Sequence, residues 1–143
     1  MRKLEKDSID ELAGVLATFY SRASTSESIN RVGSWQTVRI DCEENFGQMT
    51  KFVPEIIDER MFLIIQAATR AFLQRRQALF QRRVEHGKIR DCHGDLRSGH
   101  IYFTDGIKII DCVEFNDRFR YVDITSDLAF LAMDLDFEGY PLP

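Results

Sequence analysis

Apolar residues recur at helical spacing along most of this chain. Ile9, Leu12, Leu16 and Phe19 predict an amphipathic helix over 9–22, opened by the capping box Ser8-Ile9-Asp10-Glu11. The polar run at 21–28 interrupts that pattern and reads as a loop. A weaker helix is expected over 37–48, with Val38, Cys42 and Phe46 on one side. Pro54 suits a first helical turn, no Gly or Pro follows until Gly87, and Met61, Ile65, Ala68, Phe72, Leu79 and Val84 form a stripe. A long helix over 54–85 is therefore expected. Leu128, Leu131, Ala132 and Leu135 predict a last helix over 124–136, with Asp123 as its N-cap and Asp127 in its first turns, where a carboxylate complements the helix dipole.

Between the long helix and the last one, the pattern changes to strands. Ile101–Thr104 and Ile107–Ile110 are short β-branched and aromatic runs separated by Asp105-Gly106, the dipeptide of a two-residue hairpin turn. That turn sets Thr104 against Ile107, Phe103 against Lys108, Tyr102 against Ile109, Ile101 against Ile110 and, by extension, His100 against Asp111. The stretch 92–114 also holds His93, Asp95 and Glu114, so the hairpin returns Asp111 to the loop that carries Asp95. Residues 116–121 are charged, aromatic and without a period. The architecture expected from these elements is α+β and mainly helical.

Composition narrows the function classes. With 44% hydrophobic and 29% charged residues in 143, the chain has the make-up of one folded domain rather than of a disordered segment. No apolar run approaches the ~18 residues of a membrane span, and the first residues lack the apolar segment of a signal peptide. Cys42, Cys92 and Cys112 contain no CxxC pair, which fits buried thiols in a reducing, cytoplasmic setting better than a disulfide frame or zinc knuckle.

The net charge of −4 is unevenly spread: residues 60–90 carry 8 basic and 1 acidic side chains, residues 91–143 carry 4 and 11. Arg70, Arg75, Arg76, Arg82 and Arg83 on the long helix raise the question of nucleic acid. Without interleaved aromatics or a groove-reading motif, they read as a solvated helix face.

His93-Gly94-Asp95-Leu96, the hairpin, Ile109-Ile110-Asp111 and Ser126-Asp127-Leu128-Ala129, in that order and spacing, resemble the aminoglycoside phosphotransferase-like branch of the protein-kinase-like fold. The likeness is sharp from Cys92 to Pro141 and loose before it. It extends to bacterial uncharacterised phosphotransferase-like proteins that are often fused to a P-loop ATPase domain.

The resemblance implies a kinase-like C-terminal lobe with ATP and Mg²⁺ as cofactors and a small-molecule hydroxyl as acceptor. Asp95 is then the catalytic-loop carboxylate that takes or orients the acceptor proton, and His93 braces the loop. Arg97 stands two residues on, where it would meet phosphate. Asp111 is the metal-binding Asp after the hairpin. Asp127 is the helix carboxylate that ties down the catalytic-loop backbone, grouped with the cofactor-binding residues. Where the family's loop ends in a metal-binding Asn, this chain has His100, an imidazole that suits transition metals better than Mg²⁺.

No Gly-rich loop followed by a strand Lys and a partnering Glu is present. The N-terminal lobe is therefore expected to be absent, and the chain to be a fragment inactive by itself. Two other function classes stay open on the residues: a non-catalytic kinase-like scaffold or regulatory module, and a metal-dependent hydrolase using His93, Asp95, His100 and Asp111.

Overall fold

Helix α1, Lys6–Arg22, lies against the last helix and the hairpin, and Leu12, Leu16 and Tyr20 are its buried positions. The structure is a computed structural model that describes residues 6–140; Pro141, the end of the resemblance, and the run before Lys6 lie outside the described residues. The apolar stripe of α1 runs through Tyr20 rather than through Phe19 and Ile9, which are 41% and 37% exposed. Ser8 lies inside the helix, so the expected capping box does not form there.

The loop after α1 is shorter than expected. Ser26 accepts the Ile29 N–H and caps a short helix α2, Glu27–Val32. Helix α3, Trp35–Met49, follows; its N-cap Ser34 accepts the Thr37 N–H, and Phe46 is buried on the predicted side. Gly33 between them is required by contact rather than by dihedral. A Cβ there would stand 2.3 Å from Ile89 Cγ2.

The expected long helix is two helices. Asp58 accepts the Met61 N–H and starts α4, Glu59–Arg75. The backbone leaves helical geometry at Arg76 (φ −110°, ψ 16°), and α5, Gln77–Glu85, follows. The stripe read from sequence faces outward: Met61, Ile65 and Phe72 are 55%, 48% and 50% exposed. Phe62 and Leu73 turn inward instead, Phe62 edge-on to Phe46, and Trp35 Nε1–H donates to the Leu73 carbonyl at 2.8 Å. A helix apolar on two sides cannot announce from its own sequence which side its neighbour takes.

Of the arginines on this pair of helices, Arg70 is bidentate to Glu43, and Arg83 binds Asp123 and Thr125. Those two are therefore committed to tying elements together. Gly87 ends α5 as expected, at φ +60°, with its N–H on the Val84 carbonyl and the Lys88 N–H on Arg83, a Schellman closure.

Two small antiparallel sheets complete an α+β, mainly helical fold. Strand β1, Ile89–Asp91, pairs with β4, Tyr121–Asp123, in the register Ile89↔Asp123, Arg90↔Val122, Asp91↔Tyr121. Neither strand is visible as a period in the sequence, because three residues are too few to show one. Strands β2, Ile101–Thr104, and β3, Gly106–Ile109, form the expected hairpin, but one residue out of the predicted register. The observed pairs are Ile101↔Ile109, Tyr102↔Lys108 and Phe103↔Ile107.

The physical reason lies in the turn and the core. A two-residue turn of the expected kind needs positive φ at both Asp105 and Gly106, and only Gly106 has it, at +80°. The observed register sets Ile101, Phe103, Ile107 and Ile109 together against the core, where the predicted one would have put Phe103 opposite Lys108. Helix α6, Ile124–Phe137, starts directly from β4 with Asp123 as its N-cap, accepting the Thr125 N–H at 2.8 Å.

The core comprises Leu12, Leu16 and Tyr20 of α1, Cys92 and Leu96 of the loop after β1, Ile101 of β2, and Leu131 and Leu135 of α6. Leu128, expected on the inner face of α6, is 39% exposed; Asp127 takes the inner place with Leu131 and Leu135. Of the thiols only Cys92 is buried, and Cys112 is exposed. No helix among the described residues is long and apolar enough to cross a membrane. Leu96 is 1% exposed and holds the 93–97 loop to this core. Leu96→Ala is expected to lower unfolding free energy by about 2–5 kcal/mol, measurable by urea denaturation.

Candidate functional site

The loop leaving β1 is held by a carboxylate buried beneath it. Asp127, 3% exposed, accepts the His93 N–H through Oδ2 and the Gly94 N–H through Oδ1, both at 2.9 Å, and the Tyr20 hydroxyl through Oδ2 at 3.0 Å. The His93 N–H and the Tyr20 hydroxyl would otherwise be buried without a partner, at ~1–3 kcal/mol apiece. Asp127 therefore positions the loop, and with its oxygens turned to protein donors it is not presented to a cofactor.

Gly94 sits at φ +82°, and a Cβ there would stand 2.7 Å from the Phe119 carbonyl oxygen. Only glycine fits this bend. Two turns along α6, Asp134 accepts the Ser98 N–H at 2.7 Å and the Ser98 hydroxyl at 2.6 Å. The Ser98 bonds hold the Asp134 carboxyl below the usual carboxylate range.

The two histidines brace the loop in different ways. His93, 7% exposed, meets the Ile110 carbonyl through Nε2 at 2.9 Å, and its Nδ1 accepts the Asp95 N–H at 3.3 Å. Those partners assign the proton to Nε2 and leave no nitrogen for a ligand. The His93 carbonyl accepts the Val113 N–H, and the His100 carbonyl accepts the Ile110 N–H, which laces 110–113 onto the loop. His100 meets the Asp95 carbonyl through Nδ1 at 2.9 Å, and its Nε2 lies 3.4 Å from Asp111 Oδ2 and 3.2 Å from the Arg97 guanidinium.

Asp95 Oδ2 accepts from Arg97 at 2.9 Å. Among the described residues no side chain bonds its Oδ1, and the carboxylate side chain is 31% exposed. Asp111 is 76% exposed and has φ +65°, the only positive φ outside glycine among the described residues. Left-handed backbone is uncommon for a side-chain-bearing residue and marks a constrained position.

Asp95, Arg97, His100 and Asp111 therefore converge, as expected from sequence, although the predicted strand pairing is not what joins them. His100 is opposite Ile110, and Asp111 turns back to the imidazole through its own backbone bend. Glu114 is exposed and makes no side-chain bond among the described residues.

Sequence reasoning missed Tyr20, Asp134 and Arg120. Arg120 binds Asp91 at 2.6 Å, the Val113 carbonyl at 3.1 Å and Asp117 at 3.0 Å, joining β1 to the 111–117 segment. Asp134 had a signal: it lies seven residues after Asp127, on the same face of α6. Among the described residues no three His, Cys, Asp or Glu side chains are grouped to hold a metal ion. Two apolar grooves, of about 700 and 640 Å³, flank α1 and include none of His93, Asp95, Arg97, His100 or Asp111.

The chain is 35% identical over 132 residues to uncharacterised proteins of Mycobacterium bovis and Mycobacterium tuberculosis, a match that covers 92% of this chain and 26% of theirs. It thus spans about a quarter of the length of these curated relatives. No family model matches the chain. No solved structure matches it.

Tyr20 and Cys92 both border Asp127 and titrate upward. Burial and then the Asp127 charge raise the Tyr20 phenol above its ordinary range. Burial, followed by Asp127, pushes the Cys92 thiol up from 9.0 to about 12. Both groups are neutral in the fold and ionise more readily in the unfolded chain, so their contribution is full below the unfolded value and lost as pH rises through the folded one. Stability is expected to fall as pH rises from 9 towards about 12. In Cys92→Ala the fall should begin nearer 10, the ordinary tyrosine value. Urea denaturation at stepped alkaline pH measures the difference.

Proposed function

We propose that this chain is the C-terminal catalytic lobe of an ATP-dependent phosphotransferase acting on a small-molecule hydroxyl, with a kinase-like fold. The observation that carries this reading is the two-point grip of Asp127 on the His93 and Gly94 amides, which holds the loop whose Asp95 carboxylate lies beside His100, with Asp111 on the other ring nitrogen of that histidine. Phosphoryl transfer needs a hydroxyl oriented for in-line attack and positive charge on the phosphates, and little other chemistry from the protein.

Asp95 fits the first task. Its Oδ1 lacks a protein partner among the described residues, and its backbone is fixed on both sides by His93 and His100. It would hold the acceptor hydroxyl and take its proton as the oxygen bonds to phosphorus. Arg97 fits the second, as an exposed guanidinium one contact from Asp95 that can meet a phosphate oxygen.

The exposed Asp111 carboxylate is a hard oxygen donor of the kind Mg²⁺ takes, with room for the waters that ion retains. When bound, such a cation neutralises phosphate charge. His100 Nε2 is a poorer match for Mg²⁺. His93 belongs to the scaffold, since both its nitrogens are occupied, and this counts against a hydrolase that would use it as a ligand.

A nucleotide pocket would need further segments, as neither apolar groove reaches Asp95 or Asp111. The full phosphotransferase would then include an N-terminal lobe, and a fused P-loop ATPase domain is a second partner; both fit the greater length of the mycobacterial relatives. A cytoplasmic setting belongs to the same reading.

This chain alone is expected to bind ATP weakly, and a longer chain carrying the N-terminal lobe is expected to transfer phosphate. Asp95→Asn in that longer chain should lower the rate by 10²-fold or more, on the order of a lost general base, with its unfolding transition unchanged. Undiminished transfer by Asp95→Asn across a panel of hydroxyl acceptors would sink the assignment.

A further inference from the structure

We propose that the outer side of α4 is a dimer interface, on which the row of Met61, Ile65, Ala68 and Phe72 packs antiparallel against the same row of a second copy of this chain. The first ground is exposure. Met61, Ile64, Ile65 and Phe72 are 55%, 53%, 48% and 50% exposed on one helix whose inner side, Phe62 and Leu73, already packs on the fold. Phe72 meets Phe80 of α5 edge-on, with ring centroids 6.3 Å apart, and still leaves half its surface open. Single apolar side chains at a surface need no explanation, but a contiguous row of large ones marks an interaction site.

The second ground is the spacing. Met61, Ile65, Ala68 and Phe72 stand four, three and four residues apart, the seam of a helix that packs side by side with another. A two-fold axis between Ile65 and Ala68 makes that row complementary to itself. Ile65 then fills the space left by the partner's Ala68, and Met61 sets its sulfur against the ring of the partner's Phe72. Such an interface is closed: each protomer uses the same patch, and no further copy can add.

The third ground selects the occupant by charge. The row has a carboxylate at one end, Asp58, and two guanidinium groups at the other, Arg75 and Arg76. Asp58 caps α4 through Oδ1 at 2.7 Å, and among the described residues none of the three makes an ion pair. The antiparallel pair sets Asp58 opposite the partner's Arg75 at both ends. A parallel pair would set each charge against its own copy, and an anionic membrane or a uniformly acidic partner would meet Asp58 with like charge.

Sedimentation velocity tests the proposal on this chain and on the longer chain with the N-terminal lobe. Both are expected to form micromolar or tighter dimers, here of two 16.6 kDa chains. Ile65→Glu should raise the dissociation constant about 100-fold or more, because the partner's Ala68 offers the buried carboxylate no donor. Leu63 is the control: it is 54% exposed but lies about 200° around the helix from Met61. Leu63→Glu should leave the constant within about threefold. Asp58→Asn keeps the cap and should weaken the dimer about threefold or more at low salt, as should Arg75→Gln with Arg76→Gln.

A monomer at about 100 μM, where a micromolar dimer is formed, would overturn the proposal and needs no variant to show it. Growth beyond the dimer, equal loss in Leu63→Glu, or unchanged or tighter association in the arginine double variant would overturn it as well. A longer chain that stays monomeric would give the row to its own further segments. A monomer that binds phosphatidylserine vesicles through Ile65 would give it to a lipid surface. Either result removes the second copy as the occupant.

Discussion

The geometry of the site depends on one buried carboxylate. Asp127 lies in the first turn of α6, with its oxygens on the His93 and Gly94 amides and the Tyr20 hydroxyl. A buried carboxylate is tolerated only where donors surround it, and here the donors belong to the loop that must be held. The helix is itself fixed independently of the loop. Asp123 caps it and is gripped by Arg83, and Leu131 and Leu135 seat it in the core. Asp134 repeats the grip at Ser98. Helix α6 thus fixes both ends of the segment that presents Asp95.

From that anchor the rest of the site follows by backbone contacts. His93 carries the constraint outward, through its ring to Ile110 and through its carbonyl to Val113. Asp111 lies between those two attachments, in left-handed backbone, and is delivered to His100. The reactive side chains Asp95 and Asp111 are exposed, and the groups that hold them, Asp127 and His93, are buried. This division lets a polar site sit on a core of Leu96, Leu131 and Leu135 without leaving buried charge unpaired. Of the buried side-chain polar atoms among the described residues, only Asn30 Oδ1 lacks a partner.

Much of this was legible in the chain. The helix over 124–136, its Asp123 cap and the Gly87 stop follow from local patterns that need no tertiary knowledge, and the hairpin signal returned Asp111 towards the Asp95 loop, though by a pairing that the backbone bend at Asp111 replaces. The misses share one cause, which is that tertiary packing chose between locally equivalent options. Helix α4 has apolar residues on two sides, and Phe62 and Leu73 were taken in by α3 while Met61, Ile65 and Phe72 were left outside. The hairpin admitted two registers one residue apart, and the core chose the one that groups Ile101, Phe103, Ile107 and Ile109. Strands β1 and β4 are too short to carry a period, and Tyr20 gives no hint in sequence of a partner 107 residues away. His100 was legible as a departure from a pattern, but its partners, the Asp95 carbonyl and the Arg97 guanidinium, are brought to it by the fold of the loop.

The most direct test of the central claim is amide hydrogen exchange at His93 and Gly94, resolved by NMR. Their N–H groups lie in a loop outside any helix or sheet, so without the carboxylate beneath them they would exchange like other irregular backbone. The account predicts protection approaching that of the α6 core amides. It also predicts selective loss of that protection in Asp127→Asn, which retains a single acceptor oxygen for the three donors. Exchange at His93 and Gly94 as fast as that of the exposed turn at Asp105 would contradict it.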